Sequence, residues 1–148
     1  MTNELLIEML QNDLKNERKH LLFYLQAGVM VQGLHREELG EFLLKEAKGE
    51  LAHVEEFSRM IVHLGGVPGL TTNLFPSELT DPVRILEYVH KMETEVADLY
   101  AQRLRDTHEM RTAAEAAVHV FYEEQIADSW KTAQEVAQML KRYEPKEA

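Results

Sequence analysis

The sequence has no cysteine. Disulfides, thiolate nucleophiles, iron–sulfur clusters and cysteine-held zinc are thereby excluded, and any metal must be held by carboxylates, histidines or backbone oxygens. Proline and glycine are scarce, 4 and 7 in 148 residues. They are also clustered, as expected of a chain that lies mostly in long regular elements. Basic residues are in deficit: 16 Lys and Arg against 26 Asp and Glu leave a formal net charge of −10. Binding to a phosphate backbone needs cations that neutralise it, so nucleic acid is not expected as a partner. No apolar run approaches the roughly 20 residues that cross a bilayer, so no membrane partner is expected either. The opening Met1-Thr2-Asn3-Glu4 enters directly on an amphipathic pattern without a signal-peptide layout, which favours the cytoplasm.

What is present fits one all-α domain spanning 1–148. Four segments carry apolar residues every three or four positions. The first runs from about Thr2 to Val31, with Leu6, Leu10, Leu14, Leu21, Tyr24 and Gly28 on one stripe. The second runs from His35 to Leu64, with Leu39, Phe42, Leu43, Phe57 and Ile61 inward, and is stopped by Gly65-Gly66. Turn-forming residues follow from Gly65 to Asp81, ending in Thr80-Asp81-Pro82, a strong helix start. The third helix is expected to reach Arg105 and the fourth to run from Met110 to Arg142. Two short connections and one long crossover predict two helical hairpins in a four-helix bundle of the ferritin-type topology.

The informative feature is acid inside the apolar stripes. Glu17 falls among Leu10, Leu14, Leu21 and Tyr24. Glu50 and His53 continue inward along Phe57, Ile61 and Leu64, and their i, i+3 spacing sends both side chains to one face. Glu93 shares a face with Val89, Val96 and Tyr100. On the fourth helix Glu123 shares a stripe with Ile126, Trp130, Ala133, Ala137 and Leu140. A single Glu on an apolar edge is ordinarily a surface residue. Four converging on one interior are another matter: each ionised carboxylate costs several kcal/mol unless paired, and together they repel. Two divalent cations remove both penalties. An oxygen-rich set with an imidazole suits iron or manganese.

These residues give the chain a resemblance to the ferritin superfamily, on the bacterioferritin and non-haem ferritin side. Glu17-Arg-Lys-His-Leu-Leu-Phe-Tyr24 resembles the family's ligand Glu with a Tyr seven residues on. Glu46-Ala-Lys-Gly-Glu50-Leu-Ala-His53, with the exit Leu64-Gly-Gly-Val-Pro68, is similar to the bacterioferritin helix. The resemblance implies a pseudo-repeat, with Glu17 to Glu50 as one copy and Glu93 to the Glu123 region as the other. It implies ligands Glu17, Glu50, His53, Glu93 and either Glu123 or Glu124. Glu123 is preferred because Glu124 would bring Lys131 and Glu135 onto the core stripe, and Gln125 belongs to the Glu-Gln pair that resembles non-haem ferritins.

The chain departs from the bacterioferritin pattern in three places. Ile126 stands where a second ExxH would have its His, so the two ions are expected to bind unequally. Leu51 stands where the haem methionine would be, so no haem is expected. Little chain remains after Arg142 for a fifth helix, and the crossover shows no extra helix of the mini-ferritin kind. His20 and His119, one turn from Glu17 and Glu123, are candidates for the missing imidazole. The implied activity is oxidation of Fe(II) by oxygen or peroxide at a two-iron centre in a homo-oligomer, at least a dimer. Glu50 and the fourth-helix acid would bridge or bind the ions, Glu17 and Glu93 would be terminal, and Tyr24 would stabilise the site or supply an electron. A di-iron or di-manganese oxidase of another substrate, or a non-catalytic oligomerisation bundle, are the rival readings.

Overall fold

Four helices form where the apolar periodicity predicts them. In the computed structural model, which describes residues 1–141, α1 spans Asn3–Met30, α2 Arg36–His63, α3 Pro82–Asp106 and α4 Ala113–Leu140. No strand occurs among the described residues, and no helix is long and apolar enough to cross a membrane. The expected lack of a fifth helix after Arg142 lies outside the described residues. The chain divides into two compact units, Met1–Thr80 and the part from Asp81 onward.

In the first unit Thr2 caps α1 by accepting from the Leu5 N–H at 3.2 Å. The antiparallel partner α2 comes close where glycines face it. A Cβ on Gly40 would lie 3.0 Å from the Gly28 carbonyl oxygen, tighter than an ordinary contact, so a side chain there would press the helices apart by a few tenths of an ångström. At its end α2 closes with Gly65 at φ +97°. The Gly66 N–H donates to Ile61 O at 2.9 Å and the Gly65 N–H to Val62 O at 3.0 Å, the paired bonds of a Schellman end.

From there the crossover runs along α1 without regular structure, and the outer side chains of α1 satisfy its backbone. Gln11 Nε2 donates to Val67 O at 2.6 Å while its Oε1 accepts from Gly69 N at 2.8 Å. Arg18 donates to the Gly69 and Thr71 carbonyls, and Gln26 to that of Ser77 at 2.9 Å. A connection with no ladder of its own is thus tied to the helix that carries Glu17.

In the second unit Asp81 caps α3 by accepting from Arg84 N at 3.0 Å, with Pro82 in the first turn, as the sequence predicts. Thr112 caps α4 in the same way. Tyr100 of α3 and Tyr122 of α4, both fully buried, meet edge to face with ring centroids 5.2 Å apart.

The α4 stripe needs correction. Its buried residues are Glu115, Val118, Phe121, Tyr122, Gln125, Ser129, Ala133 and Val136. The expected stripe through Glu123, Ile126 and Trp130 lies one position away, and Trp130 is 61% exposed. A large aromatic is a strong apolar signal in a sequence, but here the register follows Tyr122 and the small residues Ser129 and Ala133. Leu21, expected inward on α1, is half-buried, while His20 and Phe23 beside it are buried.

Candidate metal centre

α1 and α2 bury acidic side chains: Asp13 and Glu17 on α1 and Glu50 on α2. Glu17 is 1% exposed and Glu50 5%. His53, three residues after Glu50 and so on the same face, is half-buried. Its Nδ1 lies 3.2 Å from Glu50 Oε2 and 3.4 Å from Glu17 Oε2. The three residues bring one ligand atom each within 4.8 Å of one another. On the other side of Glu50, the Oε1 atom is 3.9 Å from Nδ1 of His20, which is 1% exposed.

The electrostatics follow from this crowding. The Glu17 carboxyl is pushed up to about 7, first by burial and then by the charge of Glu50, with His53 and His20 pulling the other way. Burial alone would lower His53; its hydrogen bonds to Glu17 and Glu50, and their charge, outweigh that and raise it to about 11. Without a cation the cluster therefore holds protons, with an imidazolium set between two buried carboxyls. A metal ion does the same neutralising work, and two carboxylates with an imidazole form a donor set that iron, manganese or zinc accepts. The residues fit the group.

This gives a pH dependence of defined sign. Both groups hold protons more tightly in the folded chain than in the unfolded one. The stability contributed by Glu17 is present below about 4.5 and lost as pH rises through about 7; that of His53 is present below about 6.5 and lost towards about 11. In a chelator, the melting temperature is expected to fall as pH rises from about 5 to about 8. With excess Mn(II) or Co(II) the trend should reverse, because the ligands must lose their protons to bind. Scanning calorimetry with and without metal checks this. Parallel slopes would mean that the cations do not use these groups.

The remaining expected site residues divide. Tyr24 is fully buried, two turns along α1 from Glu17. Glu93 is 1% exposed on α3. Glu123 and Glu124 do not lie on the buried face of α4: both are exposed, and Glu123 Oε1 pairs with His119 Nε2 at 3.2 Å. His119 is taken up in the α3–α4 connection, its Nδ1 2.9 Å from the buried Thr107 hydroxyl, which itself donates to Arg103 O. The buried residue of that stretch is Gln125, 3% exposed.

A signal in the sequence could have found Gln125. One constant spacing separates Leu10 from Leu86, Glu17 from Glu93 and Tyr24 from Tyr100, and both members of each pair are buried. A spacing one residue shorter separates Leu43 from Val118, Ala47 from Tyr122, Glu50 from Gln125 and Ile61 from Val136, again all buried. The second half thus repeats the first, with Gln125 in the place of Glu50 and Asp128 in the place of His53. The first hairpin carries the fuller set of candidate ligands.

Residues 7–144 match the family model described as a ferritin-like domain. A ferritin-like, diiron-carboxylate protein from Bacillus anthracis superposes with a TM-score of 0.83 at 27% identity, covering 93% of this chain and 96% of that one. An open-pore ferritin from Archaeoglobus fulgidus gives 0.78 at 16% identity, covering 94% and 84%. A dodecameric thioferritin from Bacteroides fragilis, a bacterioferritin-related protein, gives 0.66 at 18% identity, covering 98% and 94%. The last two likenesses are of fold alone. No curated protein matches the sequence. The fold is that of the ferritin-like four-helix bundle, with the long connection between its two hairpins.

Proposed function

Since this chain belongs to the ferritin-like domain family, we propose that it is a di-iron carboxylate protein that oxidises Fe(II) with oxygen or peroxide, in iron handling or detoxification. The observation that carries this reading is the Glu17–Glu50–His53 cluster: two buried carboxylates and an imidazole share a space that is tolerable only with protons or a cation in it. The likeness to a diiron-carboxylate protein at 27% identity supports it.

Fe(II) is the substrate here. Glu17 and Glu50 supply anionic oxygens, which favour the more highly charged Fe(III), and His53 binds after giving up the proton it shares with the two acids. Two Fe(II) give up one electron each. With two protons, that pair of electrons reduces O2 to H2O2, or H2O2 to two waters. On the second hairpin the reading assigns Glu93 as a ligand. Tyr24 is assigned to stabilise the oxidised site or to donate an electron. Iron suits the donor set, and manganese fits it as well.

Anaerobic loading with Fe(II) followed by measured oxygen uptake tests the activity. The expected result is about two iron ions per chain and oxygen consumption that depends on them. Bound metal without iron-dependent uptake would transfer the site to oxidation of another substrate. Purified chain that retains no metal under any loading would leave a non-catalytic bundle.

The reading includes a cytoplasmic homo-oligomer, at least a dimer. Leu25 and Val29, one turn apart on α1, and Leu51 on α2 are 47%, 59% and 57% exposed, apolar side chains that a second copy would cover. Light scattering on the purified chain decides it.

A further inference from the structure

Resting on the di-iron reading above, we propose that His20 is the imidazole ligand of the second ion position. It would bind on the Oε1 side of Glu50, while His53 serves the Oε2 side.

The repeat shows that the fold does not require a histidine here. The residue of α3 at the same spacing as Glu17 and Glu93 is Val96, which is also buried. An aliphatic side chain fills this core position in one hairpin; α1 fills it with an imidazole that is 1% exposed. Burying a polar ring where an apolar one fits is costly unless the ring is used.

The distances indicate the use. His20 Nδ1 stands 3.9 Å from Glu50 Oε1, beyond hydrogen-bond reach. Two donors that share one cation at about 2.1 Å each are separated by roughly 3–4.2 Å, depending on the angle between them. The pair has the separation of two ligands of one ion. Glu50 divides its oxygens accordingly, Oε2 facing His53 at 3.2 Å and Oε1 facing His20. That is the disposition of a carboxylate bridging two ions, with one imidazole beyond each oxygen.

The assignment also answers what α4 leaves out. Its residues in the places of Glu50 and His53 are Gln125 and Asp128, so no imidazole comes from there. Both imidazoles of a two-ion centre then come from the first hairpin.

Co(II) is the probe for the test, because imidazoles bound to it show solvent-exchangeable N–H proton resonances far outside the normal range. Wild-type chain is expected to take up two Co(II) and to show two such resonances. His20→Gln should keep the His53 resonance, lose the other, and bind its second Co(II) about 100-fold or more weakly. Two bound Co(II) with a single shifted imidazole signal in the wild type would overturn the assignment, as would His20→Gln holding both ions with unchanged affinity. Should the variant fail to fold, the wild-type spectrum decides alone. A wild-type chain that takes up no Co(II) overturns the di-iron reading itself, and the assignment with it.

Discussion

Glu50→Gln is expected to empty the centre while leaving the helices intact. The side chain is 5% exposed and offers Oε2 towards His53 and Oε1 towards His20. An amide cannot supply two anionic oxygens, so both ion positions lose a ligand at once. Removing an outer-sphere partner of a metal ligand typically costs about 10–100-fold in affinity; loss of a shared ligand should cost at least the upper figure at both positions. Iron-dependent oxygen uptake should fall with it. In the metal-free cluster the same change acts in two opposed directions: it removes the charge that is the second largest cause of the raised Glu17 carboxyl, and it removes one of the two carboxylates that hold His53 protonated. Titration calorimetry with Co(II), beside thermal melts in chelator, should show lost binding with a melting temperature little changed, because the two effects offset. A variant that melts much lower and still binds metal would make Glu50 a structural residue.

Glu17→Leu should separate stability from function most widely. Glu17 sits 1% exposed on a buried face of α1 that also carries Asp13, His20 and the apolar Leu6, Leu10, Leu14 and Tyr24. Its carboxyl is raised to about 7, chiefly by burial, so above neutral pH the metal-free fold carries an ionised group it disfavours. Replacing buried ionic groups by apolar ones of similar volume is often stabilising by about 1–4 kcal/mol. For a chain of this size each kcal/mol shifts the midpoint by about 2–4 °C. The chelated variant is expected to melt several degrees above the chelated wild type at about pH 8, by a margin that shrinks toward about pH 5. With excess Mn(II) the order should invert, because the variant lacks a ligand and gains less from the ion. Such opposition between fold and site is common where polar groups are kept for chemistry. Equal loss of stability with and without metal would contradict the reading.

The two hairpins were not equally legible. Glu50 and His53 could be read because spacing of three on a helix leaves one answer for their shared face, and Phe57 and Ile61 fixed where that face points. The ends of α2 and α3 were signalled by Gly65-Gly66 and by Asp81-Pro82, whose backbone chemistry is local. On α4 the interior is lined by Tyr122, Gln125, Ser129 and Ala133 while Trp130 faces out, so hydrophobicity pointed one position away. The repeat spacing that links Tyr24 to Tyr100 and Glu50 to Gln125 resolves the register, and it depends on two helices together rather than on one. His20 shows a different limit. The sequence places it one turn from Glu17, but with the stripe expected through Leu21 a histidine there carries no signature until its burial and its distance to Glu50 are known. The path of the crossover was hidden for a related reason: Gln11, Arg18 and Gln26 look like an ordinary solvated face until their carbonyl partners are seen.

The centre rests on one physical claim, that Glu17, Glu50 and His53 are held together by a cation they share. Anomalous diffraction at the iron edge, from crystals soaked in Fe(II) without oxygen, tests it most directly. A strong peak about 2.0–2.3 Å from the facing oxygens of Glu17 and Glu50 and from His53 Nδ1 is expected, with a second beyond Glu50 Oε1. An empty map there, with His53 still hydrogen-bonded between the two acids, would contradict the account.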